Sequence, residues 1–236
     1  MKELATLSKA HQYILKGRVA LEARRRKTSD ETVPDWLVDR YIKLEQDIEK
    51  EISSLYKHHI LYDDLRRIKG LGLELAPKFL GFIEGVENNG ATGIACFDTV
   101  SRFWAFCGYG QAIKPIAGQK LNYNTELKSH LFKIGTSFMK ARNQFYERIY
   151  LPRKDYEATK FEAIVEAKRG EAKSLPKGAT TQLHIHNRAL RYMIKFFLAC
   201  LYYHWRELLG IPSRPLYSIE WLGHSTMYHL EEFYDQ

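Results

Sequence analysis

Apolar side chains in this chain return mostly at steps of three and four, and no strand-like alternation is long enough to assign a strand. Between residues 3 and 26 the series is Leu4, Leu7, Tyr13-Ile14-Leu15, Val19 and Leu21. Between residues 34 and 58 it is Trp36-Leu37, Tyr41, Leu44, Ile48, Ile52 and Leu55-Tyr56. Such steps gather apolar groups on one side of a 3.6-residue helix, so the chain is confined to a mainly α class. Arg24-Arg25-Arg26-Lys27 closes the first segment, where cations suit the negative end of a helix dipole. Pro34 opens the second, where a missing N–H costs nothing. A short turn, Thr28-Ser29-Asp30-Glu31-Thr32, joins them and predicts an antiparallel helical hairpin over residues 1–60.

Residues 61–236 read as a second helical domain. Short helices punctuated by glycine fill 65–110, a linker runs from Gln111 to Leu121, and a long helical stretch over 125–160 breaks at Pro152. Residues 162–182 read as exposed and without regular structure. The most buried helix is expected over 185–209, and Trp221, Tyr228, Phe233 and Tyr234 of the irregular tail pack back on the core. No internal repeat is visible.

With 45% hydrophobic and 27% charged residues, the chain can bury a core and is not a disordered polymer. Cys96, Cys107 and Cys200 are odd in number and far apart, which excludes a disulfide scaffold and favours a reducing compartment. Met1-Lys2-Glu3-Leu4 shows no secretory pattern, so a cytoplasmic protein is expected. The most apolar run, Tyr192 to Trp205, is interrupted by Lys195 and falls short of the roughly 20 residues a membrane span needs.

The net charge of +8 is unevenly placed. Residues 1–29 hold eight bases and two acids, and residues 30–64 hold four bases and ten acids, so these two segments cancel. Residues 111–160 hold ten bases against four acids. A basic surface there suits a polyanion, whose bound counterions are released when its phosphates are neutralised.

The sharpest local pattern is Leu65-Arg66-Arg67-Ile68-Lys69-Gly70-Leu71-Gly72-Leu73-Glu74-Leu75-Ala76-Pro77. Gly70 and Gly72 can take positive φ and let another backbone come close. Leu71 can plug the space between two helices. The amides at Gly72, Leu73 and Glu74 then open the second helix, and a helix start offers unpaired N–H groups to a phosphate. Arg66, Arg67, Lys69 and Lys78 supply charge nearby. Contacts of this kind position a nucleic acid without reading its sequence.

The pattern resembles the helix-hairpin-helix DNA-binding motif. Phe97-Asp98-Thr99-Val100-Ser101-Arg102-Phe103-Trp104-Ala105-Phe106-Cys107-Gly108-Tyr109-Gly110 then resembles the segment that follows such a hairpin in one insertion-sequence transposase family. The likeness continues through Gly118-Gln119-Lys120-Leu121-Asn122-Tyr123-Asn124 and Leu127 to Gly135, covering about residues 65–150. The helix from His186 to Arg206 is similar to stand-alone relatives of that family. Family members join a resolvase-like DEDD domain to a helical domain with a nucleophilic serine, and use a structured bridge RNA. Two departures matter. Ala117-Gly118 stands where the family has a Ser-Gly pair, and alanine has no hydroxyl to attack with. The 64 residues before the hairpin read as two helices, with Asp30, Asp35, Asp39, Asp47, Asp63 and Asp64 on charged faces, not as a DEDD fold. The resemblance therefore implies the DNA-handling half of a transposase without its chemistry.

Other groups carry less. His58-His59 and His184-x-His186 lack partners at a metal-binding spacing. Cys107 beside Gly108 reads as a small core residue. Phe196-Phe197, Tyr202-Tyr203 and Trp205 could stack bases but read as core. Lys120, Asn122, Tyr123, Lys128, Lys133, Lys140 and Arg142 offer a modest second phosphate contact, with Lys120 and Lys128 foremost. The expectation is a non-enzymatic DNA-binding protein with no catalytic residue, cofactor or metal. RNA is possible as the partner, and self-association or a nucleoprotein complex is allowed. The alternatives are a serine-dependent recombinase acting through Ser101, Ser129 or Ser137, and a scaffold subunit binding RNA.

Overall fold

A computed structural model of the chain describes residues 2–28, 33–110, 118–119, 121–165, 175, 177–215 and 229–235. The fold is mainly α. The helices are α1 (Lys2–Thr28), α2 (Asp35–Lys57), α3 (Tyr62–Leu65), α4 (Leu75–Glu84), α5 (Val100–Phe106), α6 (Thr125–Ala141), α7 (Leu151–Ala158) and α8 (Gln182–Leu208). Among the described residues none is long and apolar enough to cross a membrane.

The chain forms two compact units. The first holds residues 1–66 and 72–96, and the second holds 67–71 and 97–236. The division expected at residue 60 thus lies elsewhere: α4 packs against α1 and α2 rather than with the C-terminal helices. Its buried Ala76, Phe79, Leu80 and Ile83 need a partner, and the half-polar face of α1 cannot fill a core alone.

In the first unit α1 and α2 pack against each other with opposite charges paired. Arg25 pairs with Asp35, and Arg18 with Glu45 at 2.8 Å. Toward the other end, buried His11 meets Glu49 at 2.9 Å, and the Lys78 ammonium of α4 reaches the same carboxylate oxygen at 3.0 Å. One carboxylate therefore ties three helices together. A second buried pair fixes the tautomer of His59. Its Nδ1 accepts from the Leu61 amide, so Nε2 carries the proton facing Glu84 at 3.3 Å. The glycine-punctuated stretch after α4 includes a strand pair that helical periodicity does not announce. Strands β1 (Glu87–Asn88) and β2 (Ala91–Thr92) are antiparallel, joined by Asn89-Gly90 with φ of 48° and 82°. These are the left-handed angles that a two-residue hairpin turn demands and that Asn-Gly best tolerates.

The second unit is built around α8, whose Ala189, Leu190, Met193, Ile194, Phe197 and Leu201 are buried. Gly135 of α6 lets that helix approach closely: a Cβ there would sit 2.6 Å from Ile194 and 2.8 Å from Leu190. Phe138, Phe145, Phe197 and Phe233 complete the core as a ring cluster, Phe145 stacking on Phe233 at 4.3 Å between centroids. Phe233 of the tail thus packs inward, whereas Trp221 and Tyr228 lie outside the described residues. The break in the long helical stretch comes at Arg142, in the left-handed region at φ 49°, not at Pro152. Pro152 is the second residue of α7, which continues directly from a π-helical turn at Tyr146–Tyr150, so the helix passes through it. Within 162–182, strands β3 (Ala163–Val165) and β4 (Ala179–Thr181) pair in parallel, so part of that stretch is ordered.

The His11 network sets a pH dependence. Burial and the Lys78 charge hold the His11 imidazole below its ordinary value, against the opposing pull of Glu49. The unfolded chain then binds a proton that the fold refuses, so stability is whole above the ordinary value of 6.5 and falls as pH drops through the folded value. His186 in the second unit, lowered by burial and Lys154, adds to the same slope. Urea unfolding of the wild-type chain is expected to show a lower midpoint at pH 5 than at pH 7.5. His11→Gln should flatten that difference in part.

Substituting Gly135 by alanine should cost about 1–3 kcal/mol, since the core must move to admit one methyl group. The urea midpoint measures it.

Candidate nucleic-acid interface

The glycine-bearing segment is anchored within the second unit by residues 67–71. The Ser137 hydroxyl donates to the Gly70 carbonyl at 2.8 Å, and Asn143 Nδ2 donates to the Lys69 carbonyl at 2.8 Å. Asn143 is 0% exposed, and its Oδ1 accepts from the Tyr146 amide at 3.0 Å. From the C-terminal end, Asp235 Oδ2 accepts from the Lys69 amide, and the Asp235 amide donates to the Arg67 carbonyl, both at 2.8 Å. Gly70 has φ of +87°, and a Cβ there would lie 3.0 Å from the Ser137 carbonyl oxygen. Glycine at this position is therefore a requirement of the fold itself.

Gly72 differs. Its φ lies outside the left-handed region, and a Cβ added there meets nothing within 4 Å. The expectation of positive φ thus holds at Gly70 and fails at Gly72. The Gly72 carbonyl instead accepts from the Leu75 and Ala76 amides at 3.2 and 3.1 Å, which starts the first turn of α4. Gly72, Leu73 and Glu74 are all exposed, Leu73 by 50%. Their own amides find no acceptor among the described residues.

The remaining predicted side chains fall as follows. In the first unit, exposed Arg66 lies 3.6 Å from Asp63 and over the Tyr62 ring. Lys78 is tied to Glu49 and lies 3.7 Å from Glu74, so its charge is largely spent within the protein, and it draws the Glu74 carboxylate along the helix. In the second unit, Leu71 is buried, Lys69 is exposed without an ion-pair partner among the described residues, and Arg67 lies 4.2 Å above the Tyr234 ring. Lys128 sits over Tyr123 at 4.5 Å. Lys120 and Ala117 lie outside the described residues.

Of the three weighed serines, Ser129 donates to the Thr125 carbonyl and Ser137 to Gly70, while Ser101 is exposed near the start of α5. Cys107 is fully buried, which pushes its thiol well up, as befits a core residue. His186 Nδ1 meets the Tyr150 hydroxyl at 2.7 Å. No group of three metal-ligating side chains gathers among the described residues.

The sequence reading passed over a stripe on α8. His184, Arg188, Arg191 and Lys195 stand four, three and four residues apart, the spacing that lines a single helix face. Arg188 and Arg191 open with Lys128 and Phe132 of α6 onto a groove of about 290 Å³. That spacing was the available signal. Comparison with protein-family models, characterised proteins and solved structures finds no match to this chain.

Asn143→Ala would leave the Lys69 carbonyl and the Tyr146 amide without their partner. A loss of about 1–3 kcal/mol is expected from unsatisfied buried groups, read as a lower urea midpoint.

Proposed function

We propose that this chain is a DNA-binding protein that takes a backbone phosphate on the amides at the start of α4. The observation that carries this reading is the pairing of two properties at residues 72–74. The amides there lack acceptors, and the glycine at 72 answers no need of the fold. A ligand brought up to the main chain is what a bare Cα at that position serves. The partial positive charge at a helix start favours an anion there. Exposed Arg66 adds side-chain charge within the same unit. The resemblance of residues 65–77 to a helix-hairpin-helix, and of 97–110 to the segment following it in transposases, points the same way. Since the contact is to phosphate, binding is sequence-independent and strongly salt-dependent. No step of strand cleavage is part of this reading.

Gly72→Val is the decisive variant, because the fold has room for the side chain. It is expected to lower affinity for duplex DNA about tenfold, a difference of roughly 1.4 kcal/mol, with an unchanged urea midpoint. Arg66→Gln should reduce the slope of log affinity against log salt by about one. Fluorescence anisotropy across a salt series measures both. Wild-type affinity in Gly72→Val would overturn the reading.

A further inference from the structure

The groove on the second unit is lined by nine residues, among them Tyr109, Lys128, Phe132, Arg188 and Arg191. Three of these nine residues are Lys or Arg and none is a carboxylate. The close approach of α6 and α8 at Gly135 gives it two walls: Lys128 and Phe132 on α6, four residues apart, face the basic stripe of α8.

The cations are held by rings more than by acids. Lys128 lies 4.5 Å over Tyr123, Arg191 5.6 Å over Tyr109, and, next along the stripe, Lys195 4.1 Å over Trp104. Arg191 spends one nitrogen on the Gly110 carbonyl at 3.0 Å. No carboxylate pairs with Lys128, Arg191 or Lys195 among the described residues. Arg188 does meet Glu157 at 2.7 Å, but Arg153 and Lys160 share that same buried carboxylate, so three cations divide one negative charge. Lys195 sits half-buried beside Arg191, and both burial and that neighbour draw its ammonium below the ordinary value. The site is thus an accumulation of positive charge that the protein neutralises only in part, at Arg188.

One further feature narrows the anion. Phe132 is 50% exposed on the groove wall, a large apolar ring left facing water beside cations. A phosphate alone would make no use of it. An aromatic face joined to a phosphate would, since bases stack on such rings whatever their sequence. A duplex keeps its base faces stacked internally and cannot offer one. We infer that this groove receives an unpaired nucleotide of a single-stranded nucleic acid, its base on Phe132 and its phosphates on Lys128, Arg188 and Arg191.

This site is distinct from the α4 amides and stands or falls separately. The test uses the full chain with fluorescein-labelled oligothymidylate, oligouridylate and a duplex. The wild type is expected to bind both single strands, more weakly as salt rises. Phe132→Ala should weaken both about tenfold, leaving duplex affinity and the urea midpoint unchanged, and Phe132→Trp should restore binding. Lys128→Glu and Arg191→Glu should each weaken single-strand binding at least tenfold. Gly72→Val should leave single-strand binding intact while weakening duplex binding about tenfold, which separates failure of one site from failure of the other. Single-strand binding that ignores Phe132→Ala and Lys128→Glu would overturn the inference, as would no binding at low salt. Equal losses on duplex and single strand from Phe132→Ala would do the same. Full displacement by equimolar thymidine monophosphate would reassign the groove to a free mononucleotide and overturn the strand reading.

Discussion

The carbonyl oxygens of Lys69 and Gly70 are the fixed points of residues 67–71 in the second unit. Each accepts one side-chain hydrogen bond, from Asn143 and Ser137. Those donors sit at the end of α6, where the helix stops because Arg142 turns left-handed. Burying Asn143 completely is costly unless its amide is satisfied, and it is satisfied by this segment together with the Tyr146 amide. The left-handed turn at Gly70 follows from the same contact, because a β-carbon would strike the Ser137 carbonyl. The glycine most conspicuous as a ligand loop is thus a packing residue. Its neighbour two positions on, which the fold does not constrain, carries the functional reading.

That distinction marks the limit of what the residues disclose by themselves. Two glycines in one motif look alike in sequence, because φ and local clearance depend on what packs beside them. Helix existence was legible wherever one face was apolar at helical spacing, as in α2, α6 and α8. The antiparallel hairpin of α1 and α2 was legible from the short turn between them, and their mutual packing from opposed charge, as the Arg18–Glu45 and Arg25–Asp35 pairs show. The stop at Arg142 was not, since arginine, unlike glycine or asparagine, carries no local preference for the left-handed region. Pro152 drew the break because proline disrupts helix interiors, but the helix passes through it. The Asn89-Gly90 turn and the parallel pairing of β3 with β4 fell below notice for different reasons. The first had a clear local signal inside a stretch read as helical. The second pairs residues sixteen apart that carry no alternation.

Net charge by segment proved a poor map of available charge. The basic first helix and the acidic second neutralise one another in pairs, and Lys78, promising by position, is consumed by Glu49. Burial makes that consumption firm: Glu49 would be raised by desolvation alone, yet Lys78 and His11 draw it below its ordinary value. Where acids are scarce the outcome is different. Along α8 the cations lie over Tyr109 and Trp104, whose ring faces attract a charge without cancelling it.

A charge held by a ring keeps its long-range field, whereas a charge held by a carboxylate loses most of it. This gives the two units different electrostatic characters although both are rich in bases. In the first, much of the side-chain charge is paired within the protein, so the proposed phosphate contact rests chiefly on backbone dipoles at a helix start, whose reach is about one turn. In the second, side chains project an only partly neutralised field into a groove, which raises the local concentration of anions before contact.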